Sequence, residues 1–163
     1  MLISMLGFSP LIGCVSNKYL LESAIYNATQ EIQIKTNVNE TIAVINTTSS
    51  TENLNMQIVT WFENYLLNTD KYKIVSRQRV DAILKELNFG LTGYISDDSA
   101  KSLGKLLGAT NILVFDIKNI NNKSYLNIQV IKTETATLVY SKSFSVKIEE
   151  TNNNAVKTNA LRF

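Results

Sequence analysis

Two short apolar runs constrain the fold of this chain more than any other feature of its sequence. Ile42–Ile45 and Ile112–Phe115 contain no polar residue, and each is too short for a buried helix. A strand covered on one face alternates apolar and polar residues, whereas a strand in a parallel sheet is buried on both faces and is apolar throughout. The two runs therefore predict parallel strands with helices on both sides of the sheet.

Helical periodicity surrounds these runs. Four segments place apolar residues three, four and seven positions apart: Lys18–Lys35, Leu54–Leu67, Ser76–Leu87 and Ser96–Leu107. Ser76 and Ser96 are suitable N-cap residues, and a glycine follows the last segment where a left-handed residue is favoured. We expect the first helix to dock on the sheet, with partner binding as the alternative, and we expect Gly104 to mark a close approach of the last helix to the sheet.

After Phe115 the pattern changes to that of antiparallel strands. Asn121-Asn122 has the residues of a tight turn, and Tyr125–Thr133 then alternates apolar and polar positions. A further alternating strand carries apolar residues at Leu138, Tyr140, Phe144, Val146 and Ile148. The predicted fold class is α/β (α+β): a three-layer arrangement with a mixed sheet of about five strands, parallel N-terminal strands, an antiparallel C-terminal meander and flanking helices.

The composition excludes several chemistries. The chain has no histidine and one cysteine, so it lacks the residues for a zinc site or for a Ser/His/Asp or Cys/His catalytic group. Asp97-Asp98 is best interpreted as helix capping, because adjacent helical residues point in different directions. The loop Thr47–Asn53 has no glycine or lysine to hold a phosphate. We predict no catalytic, cofactor-binding or metal-binding residues, and therefore no enzyme.

Charge gives little sign of nucleic-acid binding. The net charge is +2, from 16 basic and 14 acidic residues, and they form no long run of one sign. Nucleic-acid binding needs a basic stripe or an aromatic platform, and neither is present in the sequence pattern. Arg77 and Arg79 lie in the first turn of a predicted helix, where the helix dipole disfavours cations. They are candidate partner-contact residues, with solvated charges as the simpler interpretation.

The first fourteen residues resemble a secretion signal. They are mostly apolar, too short to span a membrane, and end in Leu11-Ile12-Gly13-Cys14, which resembles the lipobox of bacterial lipoproteins. Lipidation would explain a single cysteine in an exported protein. The alternative is a buried strand with an inert thiol, which gains weight because no basic residue precedes the apolar run.

The predicted organisation follows from these signals. A signal segment at 1–14 would be cleaved before Cys14, and 15–40 would form the N-terminal helix and its connector. Residues 41–150 would form the α/β domain, and 151–163 a polar tail.

The order of elements and several local sequences resemble the CsgG/HfaB and LpoB family of bacterial envelope lipoproteins. The resemblance covers residues 40–148. It rests on the following stretches: Ile42–Ile45, Tyr72–Arg77, Ile83–Glu86, Leu103-Gly104, Leu107–Ala109 and Glu134–Thr137.

The resemblance implies a non-enzymatic protein that is lipid-anchored in the outer membrane, faces the periplasm and contacts other envelope proteins. In the LpoB branch the partner is a penicillin-binding protein, whose peptidoglycan synthesis is stimulated. In the CsgG/HfaB branch the proteins assemble or secrete surface fibres or adhesins, and homo-oligomers form. The chain shows no pair of extra alternating hairpins to line a pore and no long proline-rich tether of the LpoB kind. A small-ligand-binding domain is the remaining alternative.

Lipidation at Cys14 is directly testable. Because the lipid chain would hold the protein on the membrane, we expect Cys14→Ser to move it from the membrane fraction to the soluble fraction. Ser9→Ala, in the same segment, is the control and should leave fractionation unchanged. A Cys14→Ser protein that stays with the membranes would refute lipidation at this residue.

Overall fold

The computed structural model describes residues 17–47, 51–87 and 95–148. The predicted signal segment with Cys14 and the polar tail at 151–163 lie outside the described residues. Within these residues the chain forms four helices and five strands, in this order: α1 (Asn17–Lys35), β1 (Glu40–Asn46), α2 (Glu52–Leu67), β2 (Tyr72–Ile74), α3 (Arg77–Glu86), α4 (Asp97–Leu107), β3 (Asn111–Ile120), β4 (Lys123–Lys132) and β5 (Thr137–Val146).

The strands form one mixed sheet in the order β2-β1-β3-β4-β5. β1 pairs in parallel with β2 and β3, and β3, β4 and β5 are joined as an antiparallel meander. Asn121 and Asn122 have φ angles of 49° and 60°, which is the left-handed geometry of a two-residue hairpin turn. The predicted fold class is therefore confirmed.

The parallel strands are buried on both faces, as their apolar sequences predict. Ile42 and Val44 belong to a core beneath α1 and α2, whereas Ala43 and Ile45 belong to a second core beneath α3 and α4. The first core is the larger and is built around fully buried side chains that include Phe62 and Phe115, whose ring centroids lie 5.6 Å apart. Helices on both sides are needed because the segment Ile42–Ile45 of β1 is apolar on both faces.

α4 approaches the sheet unusually closely at Gly104. A Cβ atom added at this glycine would lie 2.3 Å from the Cβ of Thr133, which follows β4. The Thr133 hydroxyl donates to the carbonyl of Ala109 at 2.7 Å, so it is held beside the end of the helix. Ser96 caps the start of α4 by accepting from the N–H of Ser99, and Gly108 ends it with φ of 65°. These features match the sequence predictions for this helix.

α1 docks on the sheet and reaches the last strand. Glu31 accepts from Lys142 of β5 at 2.5 Å and from the Tyr140 hydroxyl at 3.2 Å. The Lys142 ammonium also lies 4.9 Å from the ring centroid of Phe144. The hydrogen bond from Lys142 lowers the pKa of the Glu31 carboxyl below its usual range. These contacts fasten the beginning of the described chain to its last strand.

Two local predictions were wrong, and a third held only in part. Leu87 is 41% exposed because α3 ends at Glu86, before the predicted apolar stripe is complete. Leu138 is 50% exposed because an irregularity between Val130 and Ile131 shifts the register of β5 by one residue. Ser76 occupies the N-cap position of α3, but its side chain makes no capping hydrogen bond.

We expect Gly104→Ala to lower the free energy of unfolding by roughly 1–3 kcal/mol, because the added methyl group overpacks against Thr133. Helix propensity alone would stabilise the variant by about 1 kcal/mol, so the sign of the effect separates the two causes. Urea denaturation measures it, with Ser102→Ala on the exposed face of α4 as control. An equally stable or more stable Gly104→Ala would contradict the close approach.

The ion pair between Glu31 and Lys142 predicts a pH dependence. Since the folded-state pKa of Glu31 lies below its usual value of 4.5, the pair stabilises the fold above that pH and is lost as the pH falls through the folded-state value. Lys142→Met should lower the free energy of unfolding by a few tenths of a kcal/mol at neutral pH, as is usual for an exposed pair. In acid the same substitution should lower it by less. Urea melts at both pH values test this, with Lys73→Met on β2 as control. An equal loss at both pH values would contradict the prediction.

Candidate protein-contact surface

Half of the second sheet face has no helix over it in the described part of the chain. α3 and α4 pack on β1 and β3, and Ile131 is the single contribution of β4 and β5 to the core beneath them. Apart from Tyr125 and the half-exposed Leu138, which faces Ile131, the side chains at the uncovered positions are polar. We call them the open sheet face, which comprises Asn127, Gln129, Ser141, Ser143 and Ser145. This face is the wet side that the alternation of β4 and β5 predicted.

The open sheet face ends at the outer edge of β5, where backbone groups point outwards. The N–H of Thr133 donates to the carbonyl of Thr110, so these two residues form a hydrogen-bonded pair at the end of the β3–β4 ladder. Every second residue pair from there on is hydrogen-bonded as well. With the observed register, alternate residues of β4 bond to β3, and those between them bond to β5. It follows that the N–H and C=O groups of Ser141, Ser143 and Ser145 point away from β4.

The two edges of the sheet differ in how they are protected. β2 is three residues long, and just beyond it the Arg77 side chain donates to the carbonyl of Val44 at 3.1 Å. That contact satisfies a backbone group that β2 is too short to reach. β5 is ten residues long, and no other element of the described ranges pairs with its outer side. A long edge strand of this kind is a template for pairing with another chain.

Side chains that usually block an edge are missing from this part of β5. Natural edge strands are protected by proline, by bulges or by charged residues. The segment 141–145 contains one charge, Lys142, and its ammonium is held on the α1 side by Glu31. The remaining residues on the open side are serines, which place neither bulk nor charge in front of the backbone. Among the described residues, nothing keeps an extended segment from this edge.

Both arginines singled out from the sequence bind their own chain. Besides Val44, Arg77 is paired with Asp81 one turn along α3, and its side chain is 24% exposed. Arg79 donates to the carbonyl of Leu106 at 3.0 Å, which joins α3 to the last turn of α4. These contacts explain cations at the start of α3 without a partner. A partner contact by either arginine stays a prediction.

A half-buried carboxyl lies near Arg77. Burial raises the pKa of Glu63 on α2, the positive charge of Arg77 partly offsets that rise, and the charge of Asp81 adds to it. This small group of charges lies at the short-strand edge, opposite the open edge of β5. Arg77 and Asp81 lie in α3, which packs on β1, and Glu63 lies in α2, which packs on β1 and β2 from the other side.

The described residues form an open depression but no side-chain cluster suited to a metal ion. An open depression of about 440 Å³ lies beside α4, between Lys101, Lys105 and Glu134. Residues 17–47, 51–87 and 95–148 contain no cluster of three or more acidic, cysteine or histidine side chains that could hold a metal ion. Across the same ranges, no helix combines the length and the hydropathy that a membrane span requires.

The sequence predicted the polar side of the meander but not its use. Alternation marks positions 127, 129, 141, 143 and 145 as solvent-facing, and nothing in that pattern says whether a helix covers them. The sequence could have indicated an uncovered area through the number of its predicted elements. Four predicted helices are too few to cover both faces of a sheet of about five strands. The exposed edge could not be recognised without the strand order, because the order decides which strand lies outermost.

Comparisons with known proteins agree with this architecture. A sequence comparison with curated proteins finds no match. Among solved structures, the LpoB C-terminal domain from Salmonella enterica superposes with a TM-score of 0.61 at 19% identity, covering 78% of this chain and 98% of that one. The NMR structure of E. coli LpoB gives 0.63 at 17% identity, over 90% of this chain and 76% of the other.

A third solved structure, the lipoprotein GNA1162 from Neisseria meningitidis, superposes with a TM-score of 0.51 at 12% identity, over 72% of this chain and 86% of that one. At these identities the likeness shows a shared fold. The family model for the curli production assembly/transport component CsgG matches residues 21–118, which is more than half of the chain and runs from α1 into β3. The chain therefore belongs to the CsgG family, and its domain has the fold of the LpoB C-terminal domain.

Proposed function

We propose that this protein is a non-catalytic, lipid-anchored accessory protein of the bacterial cell envelope that acts by binding another envelope protein. The partner proposed first is a penicillin-binding protein whose peptidoglycan synthesis is stimulated. The unprotected edge of β5 beside the open sheet face is the observation that carries the proposal, because it is a surface suited to a protein segment and not to a small molecule. The fold shared with LpoB domains supports it.

The anchor and the location belong to the same proposal. Cys14 would carry the lipid, residues 1–13 would be removed as signal, and the domain would face the periplasm from the outer membrane. The lipobox-like sequence before Cys14 supports this arrangement. The polar connector before β1 and the tail at 151–163 would then flank a domain at 41–150, with α1 packed on its first core.

The mode of binding follows from the chemistry of the edge. An extended partner segment beside β5 would satisfy the outward N–H and C=O groups of Ser141, Ser143 and Ser145, as in other complexes that form by strand addition. Backbone hydrogen bonds would supply affinity, and side chains on alternate positions would supply specificity. On the helix side such a segment meets Phe144 and the Lys142–Glu31 pair, which favours an apolar residue next to a polar one.

A second candidate function is assembly or secretion of surface fibres. The match to the family model of the curli production assembly/transport component CsgG favours it. In that case the exposed edge would join subunits to one another. The protein would then be a large homo-oligomer in detergent, and a penicillin-binding protein would not accompany it.

Ser143→Pro tests the proposal at the centre of the edge. Proline removes the outward N–H and fills the space in front of it, while edge strands tolerate proline where the N–H faces solvent. We expect the full-length, lipidated wild-type protein to capture a penicillin-binding protein from detergent-solubilised envelopes, and Ser143→Pro to lose this capture. Ser143→Ala retains the N–H and is the matched control; it should capture normally.

Thermal melts of both variants show whether the fold is retained. A folded Ser143→Pro that captures as well as wild type would place the contact elsewhere. A wild-type protein that recovers no peptidoglycan synthase would contradict the first candidate, and a large detergent-soluble oligomer would then favour the second.

A further inference from the structure

The two helical layers of the domain differ in the charge of their outer surfaces. Every exposed side chain of α1 from Leu20 to Ile34 is uncharged: Leu20, Ser23, Tyr26, Asn27, Gln30 and Ile34. The same holds in α2 from Asn53 to Leu67: Asn53, Met56, Gln57, Thr60, Asn64 and Leu67. We call this surface the uncharged helical face. Its positions recur at helical spacing opposite the buried residues of both helices, so they point away from the sheet.

The opposite layer provides an internal comparison. The exposed positions of α3 include Arg79, Asp81, Lys85 and Glu86. Those of α4 include Asp97, Asp98, Lys101 and Lys105. An outer helical surface in water normally carries such charges. The uncharged helical face lacks such charges between Leu20 and Ile34 and between Asn53 and Leu67, with the exposed Lys35 and Glu52 beyond its ends. This difference is a property of one side of the molecule and not of its overall composition.

Large apolar side chains are exposed on the uncharged helical face. Ile34 is 81% exposed and Met56 50%, and Leu20, Tyr26 and Leu67 are exposed by 41–48%. The carboxylates nearest to this face are turned sideways into contacts within the protein. Glu22 accepts from the Tyr65 hydroxyl at 2.8 Å, and Glu31 is bound to Lys142. An exposed surface with several apolar residues and no charge marks an interaction site.

The position of the anchor residue identifies what this face meets. Cys14 lies three residues before Asn17, the first residue of α1, and an extended chain of that length spans about 10 Å. A lipid on Cys14 would therefore hold the start of α1 within about 10 Å of the bilayer surface. α3 and α4 lie on the other side of the sheet from α1.

We propose that the uncharged helical face of α1 and α2 lies on the lipid bilayer surface. This inference rests on the proposed anchor at Cys14. Leu20, Ile34, Met56 and Leu67 enter the boundary between headgroups and acyl chains, and the amide and hydroxyl side chains between them meet the headgroups. Because the face has no lysine or arginine between its ends, its contact does not depend on anionic lipid or on salt. The open sheet face on the other side is then directed away from the membrane.

The experiment measures which side of the anchored protein meets lipid. Lipidation uses the thiol of Cys14, so Met56→Cys or Ser102→Cys supplies the one remaining thiol for a fluorescent label. Each lipidated full-length protein is reconstituted in phosphatidylcholine vesicles, with and without lipids brominated near the headgroup. We expect the label at position 56 to lose most of its emission with brominated lipid. The label at position 102, on exposed α4, should lose none.

A charged variant gives a second measurement. Ile34→Glu with Leu67→Glu places carboxylates on exposed positions of the face, so the fold should be retained. The label at position 56 should then escape quenching, while flotation shows that the lipid anchor still holds the protein on the vesicles. Ser102→Glu is the matched control and should leave quenching at position 56 intact.

The outcomes separate this proposal from the proposed function. Anchored protein with equal quenching at positions 56 and 102 overturns the orientation and leaves the anchor in place. A label at 56 that is shielded without quenching, together with a dimer on sizing, shows that a second copy covers the face and overturns the lipid contact. Protein that neither gains lipid mass nor floats with vesicles overturns the anchor itself, and the orientation with it.

Discussion

Burial of β1 and β3 on both faces is the constraint on which the rest of the structure depends. The apolar side chains of β1 lie on both faces of the sheet, Ile42 and Val44 on one face and Ala43 and Ile45 on the other. Both faces therefore need apolar side chains packed against them. Two helices meet this need on each side, and α4 meets it at close range because Gly104 lets it approach Thr133. Little helical surface then remains for the second face of β4 and β5. The open sheet face is therefore uncovered because α3 and α4 pack on β1 and β3 and not on β4 and β5.

This distribution gives the domain three chemically different sides. One is an outer helical surface without charges, another is an outer helical surface with many, and the third is a strand edge with unpaired backbone groups. The side chains of Arg77 and Arg79 are bound within the chain, since each donates a hydrogen bond to a backbone carbonyl, at Val44 beside the short strand β2 and at Leu106 in the last turn of α4. Under the proposed function, each of these sides would select a different kind of partner.

The sequence predicted whatever is encoded by local pattern. The apolar run Ile42–Ile45 predicted a doubly buried strand, Ser96 and Gly108 predicted both ends of α4, and Gly104 predicted its close approach. Features that depend on pairing between distant segments were missed. The exposure of Leu138 comes from a register shift against β4, and the contacts of Arg77 and Arg79 depend on how α3 lies beside β1 and α4. The candidate contact edge was invisible for the same reason, because the strand order places β5 outermost.

The contact between α1 and β5 has a consequence for how the chain folds. Glu31 and Lys142 are 111 residues apart, so the first described helix finds its partner only after the last strand has been made. Contacts of such long sequence separation require closure of a long loop, which slows folding. While synthesis proceeds, Ile25, Ala28 and Ile32 have no sheet of full width to cover them. The contacts that α1 makes with β5 therefore form late, after its contacts with α2 have become possible.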